Sequence, residues 1–481
     1  MSLPGIDELS SNFDSSSPYV CHKESYMGKL GDKRLDKRAD QLSKMLFFKG
    51  SSSIHESAPD EASQKAAYRF LSNPNVEEAR LIEVALDKSS YLCTDRDLLV
   101  LQDTTEFDLN NNRNRLQKGS GIGLTGNNKN YGFFCHCSLV LDYSSETLIG
   151  YSDIQLWHRP DNEPEKIIRD YNKLPIEEKE SYKWIRGCLQ GKRHLAQARS
   201  ITFVEDREGD IYEQFEKIPD DKTHLIVRSR DNRRLADKST LHEKLAEQPV
   251  AGQYKIDIVQ DIRQGVDKRE ATVEVRYCEA EILKPVKLKK EGIKASVKLY
   301  AVEVREVNAP AGVAPVLWRI LTTHKITSYE EAVSIVNKYR LRWYIEQLFR
   351  LLKKKGFKVE SSQLETGWAV RKLTIMLMSS ALRVMQLLLA YKKPDSQPIE
   401  EGFSAKEIVC MGAVNKKLQG STEKSTNTNN PKQMAWATWV IARLGGWKNY
   451  NSKRPPGPII LKKGLDRFNA MFEGWELAQS G

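Results

Sequence analysis

The stretch Tyr339-Arg-Leu-Arg-Trp-Tyr-Ile-Glu-Gln-Leu-Phe-Arg-Leu-Leu-Lys353 lies inside a helical pattern running from about Ser328 to Lys355, with Gly356 placed as its C-terminal cap. At about 100° per residue, Arg342, Glu346, Arg350 and Lys353 all fall within roughly 60° of Tyr339. The other faces carry Val336, Leu341, Tyr344, Ile345, Leu348 and Phe349. A surface helix has a broad polar face and a narrow apolar stripe. This pattern is the reverse, so it predicts a helix buried on most sides with one charged stripe. A single carboxylate among several cations suits the wall of a site for a polyanion and a metal. A buried helix in which Glu346 merely pairs with Arg342 and Arg350 has the same pattern.

With 481 residues, two or three domains and a sizeable core are expected. The balance of 29% charged and 40% apolar residues describes a globular rather than a disordered chain. A net charge of +11 favours an acidic partner, of which nucleic acid is the commonest. The seven cysteines, Cys21, Cys93, Cys135, Cys137, Cys188, Cys278 and Cys410, include no Cys-x-x-Cys and no zinc spacing. No apolar leader follows Met1, so the expected compartment is a reducing cytoplasm, without structural zinc. The most apolar run, Leu373 to Tyr391, is interrupted by Arg383 and Gln386 and reads as a core helix rather than a membrane span.

Taken in order, a Ser-rich arm of 26 residues precedes a helical region from Met27 to about Val76. Asp32 is placed to cap a helix on which Arg34 and Arg38, four apart, share a basic face. Such a face suits a DNA groove, although a charge run on its own is more often a solvated surface. A second helix spans about Ala62 to Leu71. Leu98-Leu-Val-Leu-Gln-Asp-Thr-Thr-Glu-Phe reads as a strand with Asp103 toward its carboxyl end, followed by a Gly/Asn-rich loop from Asn110 to Asn130 that is expected to be mobile. Phe133–Tyr143 and Thr147–Trp157 read as paired strands, and Pro164–Ser200 as mostly helical. Ile201-Thr-Phe-Val is a compact strand delivering Glu205-Asp206. From Asp206 to Glu346 the chain reads as a β-rich interruption, with strands at His224–Ser229, Tyr254–Gln260, Ala271–Ala280, Ser296–Val304 and Leu317–Thr322. A polar linker, Gly420 to Pro431, precedes a last helical unit.

Three carboxylates stand out: Asp103 and Asp206 at the ends of core strands, and Glu346 on the helix. Strand ends in open sheets are where loops gather ligands. Oxygen-only donors suit magnesium or manganese rather than zinc. A pair of such cations can activate a nucleophile and steady the leaving oxygen at phosphorus. A sugar hydrolase using two carboxylates fits the basic composition poorly.

The run Tyr339-x-x-Arg342-x-x-x-Glu346-x-x-x-x-x-x-Lys353 resembles the Tyr-Arg-Glu-Lys signature of the IS-four family of bacterial cut-and-paste transposases. Leu30-Gly-Asp-x-Arg34-x-x-x-Arg38 and Ala67-Tyr-Arg-Phe-x-x-Asn-Pro-Asn-Val resemble that family's N-terminal end-binding region. Asp103-Thr-Thr and Asp206-Arg-Glu resemble its first two catalytic carboxylates, and Ile441-Ala-Arg-Leu-Gly-Gly and Glu473-Gly-Trp-Glu its C-terminal part. Separated motifs in the same order are far more specific than any one alone.

The resemblance implies an α/β fold. Its ribonuclease-H-like mixed-sheet core, residues 81–392, would carry a β-strand insertion at about 221–325. Helical domains would flank it: an end-DNA-binding domain over 1–80 and a C-terminal domain over 393–481 after a linker. It implies a catalytic, metal-binding triad of Asp103, Asp206 and Glu346 working with Mg2+, for which Mn2+ can substitute. Tyr339, Arg342 and Lys353 would contact phosphates, Trp318 would stack on an extruded base, and Arg228, Arg34 and Arg38 would contact DNA. The implied partners are double-stranded transposon-end DNA, target DNA and a second copy in a synaptic homodimer, with no membrane. Asp210 is expected to support the triad or form a turn, and His136 and His158 to be core or loop residues. Other readings of the same fold are a silent DNA-binding descendant and a nuclease without strand transfer. The family pattern continues past Glu-Gly-Trp-Glu into a helical tail while this sequence ends at Gly481, and the loop after Asp103 departs from it. Neither the family's dimer contact nor its DNA contacts in that loop are therefore carried over.

Overall fold

The computed structural model describes residues 25–112, 114–117, 119–126, 129–160, 174–258, 269–288, 291–422, 425–448 and 455–479. The N-terminal arm up to residue 24, with Cys21, and part of the helical stretch expected after Pro164 lie outside them. The chain begins with α1 (Lys33–Lys49), α2 (Glu61–Ser72) and α3 (Glu78–Leu92), then β1 (Asp97–Asp108), β2 (Tyr131–Asp142) and β3 (Thr147–Trp157). There follow α4 (Tyr182–His194), β4 (Ser200–Glu205), α5 (Tyr212–Lys217), β5 (Thr223–Arg228) and α6 (Leu241–Glu247). Then come β6 (Gly252–Ile258), β7 (Arg269–Leu283), β8 (Ser296–Glu306) and β9 (Leu317–Thr322). The last part is helical: α7 (Tyr329–Arg340), α8 (Trp343–Arg350), α9 (Gly367–Ala390), α10 (Ala405–Leu418), α11 (Met434–Leu444) and α12 (Pro458–Gln479). The expected strands are all present, except that the last two residues of Tyr254–Gln260 lie outside the described residues. The short α6 was not anticipated, although Thr240 and Glu243 form the capping box that starts it.

The chain divides into two units, one of 1–93, 104–163 and 346–481, the other of 94–103 and 164–345. The first is built around α9, whose residues are almost all buried. Among the described residues it is the one helix long and apolar enough to cross a membrane, and it is packed inside protein as a core helix. Several of its polar residues find partners inside that core. Arg371 pairs with Glu78 at 2.6 Å, Arg383 pairs with Glu407 at 2.8 Å, and Gln386 donates to the Leu148 carbonyl. Burial without such partners would cost several kcal/mol per charge, of order 3–5. The hairpin β2–β3 belongs to the same unit, with Phe133 stacked on Phe107 of β1 at 4.9 Å.

Described residues of two polar segments are hydrogen-bonded into the same unit. In the Gly/Asn-rich loop, the Ser120 carbonyl accepts from Trp368 N–H at 2.7 Å and the Asn112 amide donates to the carbonyls of Glu360 and Ser362. In the 420–431 linker Asn427 is buried and donates to Asn415 and to the Trp436 carbonyl.

The second unit is a mixed sheet in the order β1-β4-β5-β9-β8-β7-β6. The pairs β1/β4 and β4/β5 are parallel, and β5/β9, β9/β8, β8/β7 and β7/β6 are antiparallel. The strands read as an interruption thus extend the same sheet. One face receives α4. The other receives α7, where Tyr339 meets Trp318 and the Tyr277 hydroxyl donates to the Thr327 carbonyl.

Candidate active site

In β1, Leu98 to Leu101 are buried, and in β4 so are Ile201 to Val204. The two strands pair in parallel from Asp97↔Ser200 to Leu101↔Val204. Two residues beyond the last pair stand Asp103 on one strand and Asp206 on the other. In a parallel ladder such residues are lateral neighbours, on strands about 4.8 Å apart, with side chains on the same face. The β4/β5 ladder ends at Glu205↔Val227, so Arg228 follows beside Asp206, and Ile320 of β9 pairs with Arg228. Trp318 lies two residues before Ile320, on the same face. Asp103, Asp206, Arg228 and Ile320 therefore form one row across four strands on the face that α7 covers.

Asp206 accepts from Glu208 N–H at 2.8 Å, capping the turn that follows β4. Arg342 Nη1 stands 3.1 Å from Asp103 Oδ2. Tyr339 is buried, and its ring centre lies 6.5 Å from that of the half-buried Trp318 at an interplanar angle of 57°. The Arg228 guanidinium donates to the Leu317 carbonyl at 3.5 Å. Asp210 forms a buried ion pair with Arg233 and accepts from Arg230 N–H, tying down the segment just after β5.

The single helix expected from about Ser328 to Lys355 is interrupted. The helix ends at Arg340, and the bonds that follow run three residues back: Leu341 to Lys338, Arg342 to Tyr339, Tyr344 to Leu341 and Ile345 to Arg342. Such 3₁₀ bonding advances about 120° per residue instead of 100°, so the 100° wheel does not run through this turn. A wider π turn, Leu351–Lys355, closes the run. Tyr339 is buried and Arg350 is exposed. Gly356 does cap the run, but at φ −113°, outside the left-handed region expected of a cap glycine. A Cβ there would stand 2.3 Å from the Leu351 carbonyl oxygen, so close approach is what requires glycine.

Glu346 and Lys353 belong to the first unit. Glu346 is half-buried in the first turn of α8, and Lys353 Nζ sits 5.9 Å from the centre of the Phe107 ring. The structure thus brings Asp103, Asp206, Arg228, Trp318, Tyr339 and Arg342 together in one unit, with Glu346 and Lys353 in the other. Arg34 and Arg38 are on α1 in the first unit. Asp32 caps α1 at 2.7 Å, and the Arg34 side chain is 96% exposed. Arg38 lines a cavity of about 370 Å³ with Lys44, Lys49 and Glu473. His136 is fully buried beside Thr104, and His158 lies 3.4 Å from Arg371.

Among the described residues no group of three or more His, Cys, Asp or Glu is arranged to hold a metal. The donor chemistry of the Asp103–Asp206 pair nevertheless fits a hard divalent cation: two carboxylates side by side, Asp103 in the middle of β1 rather than at the strand end expected and Asp206 just past the end of β4, with no sulfur or imidazole in the row. Arg342 already supplies positive charge to Asp103.

Sequence reasoning missed what lies beneath the row. Gln102 and Glu205, each one residue before an aspartate, point to the opposite face, where Cys188 of α4 bridges them and Gln214 of α5 bonds Glu205. Burial pushes the Glu205 carboxyl up to about 8 and the Cys188 thiol well above its ordinary value. The parallel tripeptides Leu-Gln-Asp and Val-Glu-Asp were the available signal. The stacked pair His224–His324, ring centres 4.1 Å apart, was also missed.

Residues 21–76 match the family described as transposase DNA-binding, and residues 189–382 match the transposase DDE domain. The first match contains Arg34 and Arg38. The second contains Asp206, Arg228, Trp318, Tyr339, Arg342, Glu346 and Lys353, and begins after Asp103. A solved structure with a similar chain is a piggyBac transposase synaptic complex with hairpin DNA, at 10% identity and a TM-score of 0.35, covering 87% of this chain and 78% of that one. The two domain matches support a DNA transposase of the DDE class, with a DNA-binding region ahead of its catalytic domain.

Proposed function

We propose that this chain binds transposon ends, cleaves them through a hairpin and joins the freed 3′ ends to target DNA. The observation that carries this reading is the single row of Asp103, Asp206 and Arg228, with Trp318, Tyr339 and Arg342 on the same sheet face. Acid for metal, cation for phosphate and an aromatic platform for a base are what hairpin chemistry asks of one surface.

Asp103, Asp206 and Glu346 would hold the divalent ions. Bound magnesium, or manganese in its place, would sharpen the attacking oxygen and stabilise the leaving one. Arg342 would grip a phosphate with its fork, Lys353 as a point charge, and Tyr339 through its hydroxyl. Trp318 would receive the extruded base. Arg34 and Arg38 would seat the end DNA, and Arg228 would steady the strand near Asp206.

Water first displaces the 3′ oxygen at the transposon end. The freed hydroxyl attacks the opposite strand to close a hairpin, a second water reopens it, and the 3′ hydroxyl then attacks target DNA. Each step forms one P–O bond and breaks another, so one set of residues serves all four. Two copies in a synaptic complex would hold the two ends. The test is incubation of the protein with candidate end DNA and magnesium, scored for hairpin and joined products. Nicks alone would indicate a nuclease, and binding without cleavage a silent descendant.

A further inference from the structure

Behind the aspartate row, in the same unit, lies a buried polar cluster that the proposed chemistry does not use. Gln102, Cys188, Glu205 and Gln214 are each 0% exposed. The Gln102 amide donates to Cys188 Sγ at 3.4 Å, the Cys188 thiol donates to Glu205 Oε1 at 3.3 Å, and the Gln214 amide donates to Glu205 Oε2. Its neighbours on that face, Val100, Phe203, Leu225 and Val227, are buried and apolar, and an apolar residue would bury at either position with no partner to find. Polar groups in a dry core instead demand fixed partners in fixed directions.

Two glycines show how closely the cluster is held. A Cβ on Gly187 of α4 would stand 3.0 Å from the Gln102 amide, so α4 presses directly on that side chain. A Cβ on Gly209 would stand 2.1 Å from Glu205 Oε2. Gly209 belongs to the turn that Asp206 caps, so the Glu205 carboxyl is lodged under the loop that carries Asp206.

We propose that Gln102, Cys188, Glu205 and Gln214 form a clamp that sets the direction of Asp103 and Asp206, with Glu205 as a positioning residue of the site. Because successive strand residues point to opposite faces, fixing Gln102 and Glu205 on the α4 side fixes their neighbours on the α7 side. The clamp joins β1 to β4 just beyond the last ladder pair, where backbone pairing no longer holds the strands together. The inference rests on the reading of Asp103 and Asp206 as site carboxylates.

Glu205→Leu keeps the volume and removes the hydrogen bonds. Glu205→Gln keeps both, since its amide can donate to the buried Gln214 carbonyl oxygen, which has no partner. In Glu205→Leu, the magnesium needed for half-maximal nicking of supercoiled plasmid should rise roughly tenfold, the usual scale for losing an outer support of metal ligands. Amide exchange across 97–103 and 200–206 should accelerate, and Glu205→Gln should leave both readouts near wild type. Cys188→Ala, a milder change, should move both in the same direction and serves if Glu205→Leu does not fold. Leu98→Ala, destabilising but outside the clamp, is the control and should leave the magnesium requirement unchanged. Unchanged exchange in Glu205→Leu and Cys188→Ala, or an equal magnesium shift in Leu98→Ala, overturns the clamp. A wild-type protein that does not nick would sink the reading of the site instead, and the exchange result would still decide the clamp.

Discussion

Arg342 Nη1 stands 3.1 Å from Asp103 Oδ2, with only 15% and 16% of the two side chains exposed. A cation from the turn between α7 and α8 thus rests on the middle of the first core strand. Truncating one member of a mostly buried pair leaves the other charge uncompensated. Arg342→Ala should therefore slow end cleavage by roughly ten- to hundredfold, at about 1.36 kcal/mol per decade. Arg342→Lys should recover only part, because a point charge does not replace a fork. Single-turnover cleavage of end DNA measures both. Full activity in Arg342→Ala would make the pair structural decoration.

Glu346→Gln should retain end binding and lose cleavage and joining, since the amide is a neutral and poorer ligand for a hard cation. Calcium in place of magnesium should likewise permit binding without turnover. Gel-shift and cleavage assays run side by side read this. Cleavage by Glu346→Gln at near wild-type rate would remove Glu346 from the triad.

Much of this was legible in the sequence, and the exceptions have physical causes. Ile201-Thr-Phe-Val could be read as a strand because a compact run of β-branched and aromatic residues stops at acids. The Asp206–Arg228 adjacency was not legible, because register is set by long-range pairing that no single strand encodes. The break at Leu341–Arg342 carries neither Pro nor Gly, so the helical pattern runs through it without a stop signal. Gln102 and Glu205 read as ordinary polar strand residues, because only the packing of α4 and α5 encloses them.

Arg34→Ala with Arg38→Ala should weaken end binding and flatten its salt dependence. For every phosphate that the variant no longer neutralises, the log–log slope should shrink by up to about 0.9. Arg34 is almost fully exposed and Arg38 half-buried, so thermal unfolding of the variant is the control for intact folding. Binding titrations at several salt concentrations check this, and an identical slope would return α1 to the status of a solvated face.

Acid should destabilise the second unit through His324. Burial, the neighbouring His224 ring and Lys338 hold the His324 imidazole down at about 3, well below its unfolded value near 6.5. Between those values the unfolded chain binds a proton that the folded chain refuses, so stability falls as pH drops through that window. His324 Nε2 lies 2.9 Å from the Thr202 hydroxyl, which can donate to a neutral ring. Thermal unfolding from pH 7 to 5 should fall less steeply in His324→Asn than in wild type. Parallel curves would show that the stacked pair does not titrate this way.

Trp318→Ala separates hairpin transposition from simple nicking. Closing a hairpin requires the 3′ hydroxyl to reach the opposite strand, and the stacked duplex resists that bend. Extruding one base relieves the crowding but costs a few kcal/mol of stacking. An aromatic platform returns about 1–3 kcal/mol of it. Trp318 is placed for this: half-buried, on the face of the aspartate row, two residues from Ile320 and tilted against Tyr339 rather than packed flat. First-strand nicking should stay near wild type in Trp318→Ala while hairpin formation slows by about ten- to hundredfold. Labelled end DNA resolves the two products, and thermal unfolding shows whether the fold is intact. Equal loss of both steps with a lower melting temperature would make Trp318 a packing residue. Loss of hairpin alone, at unchanged stability, would assign it to the extruded base.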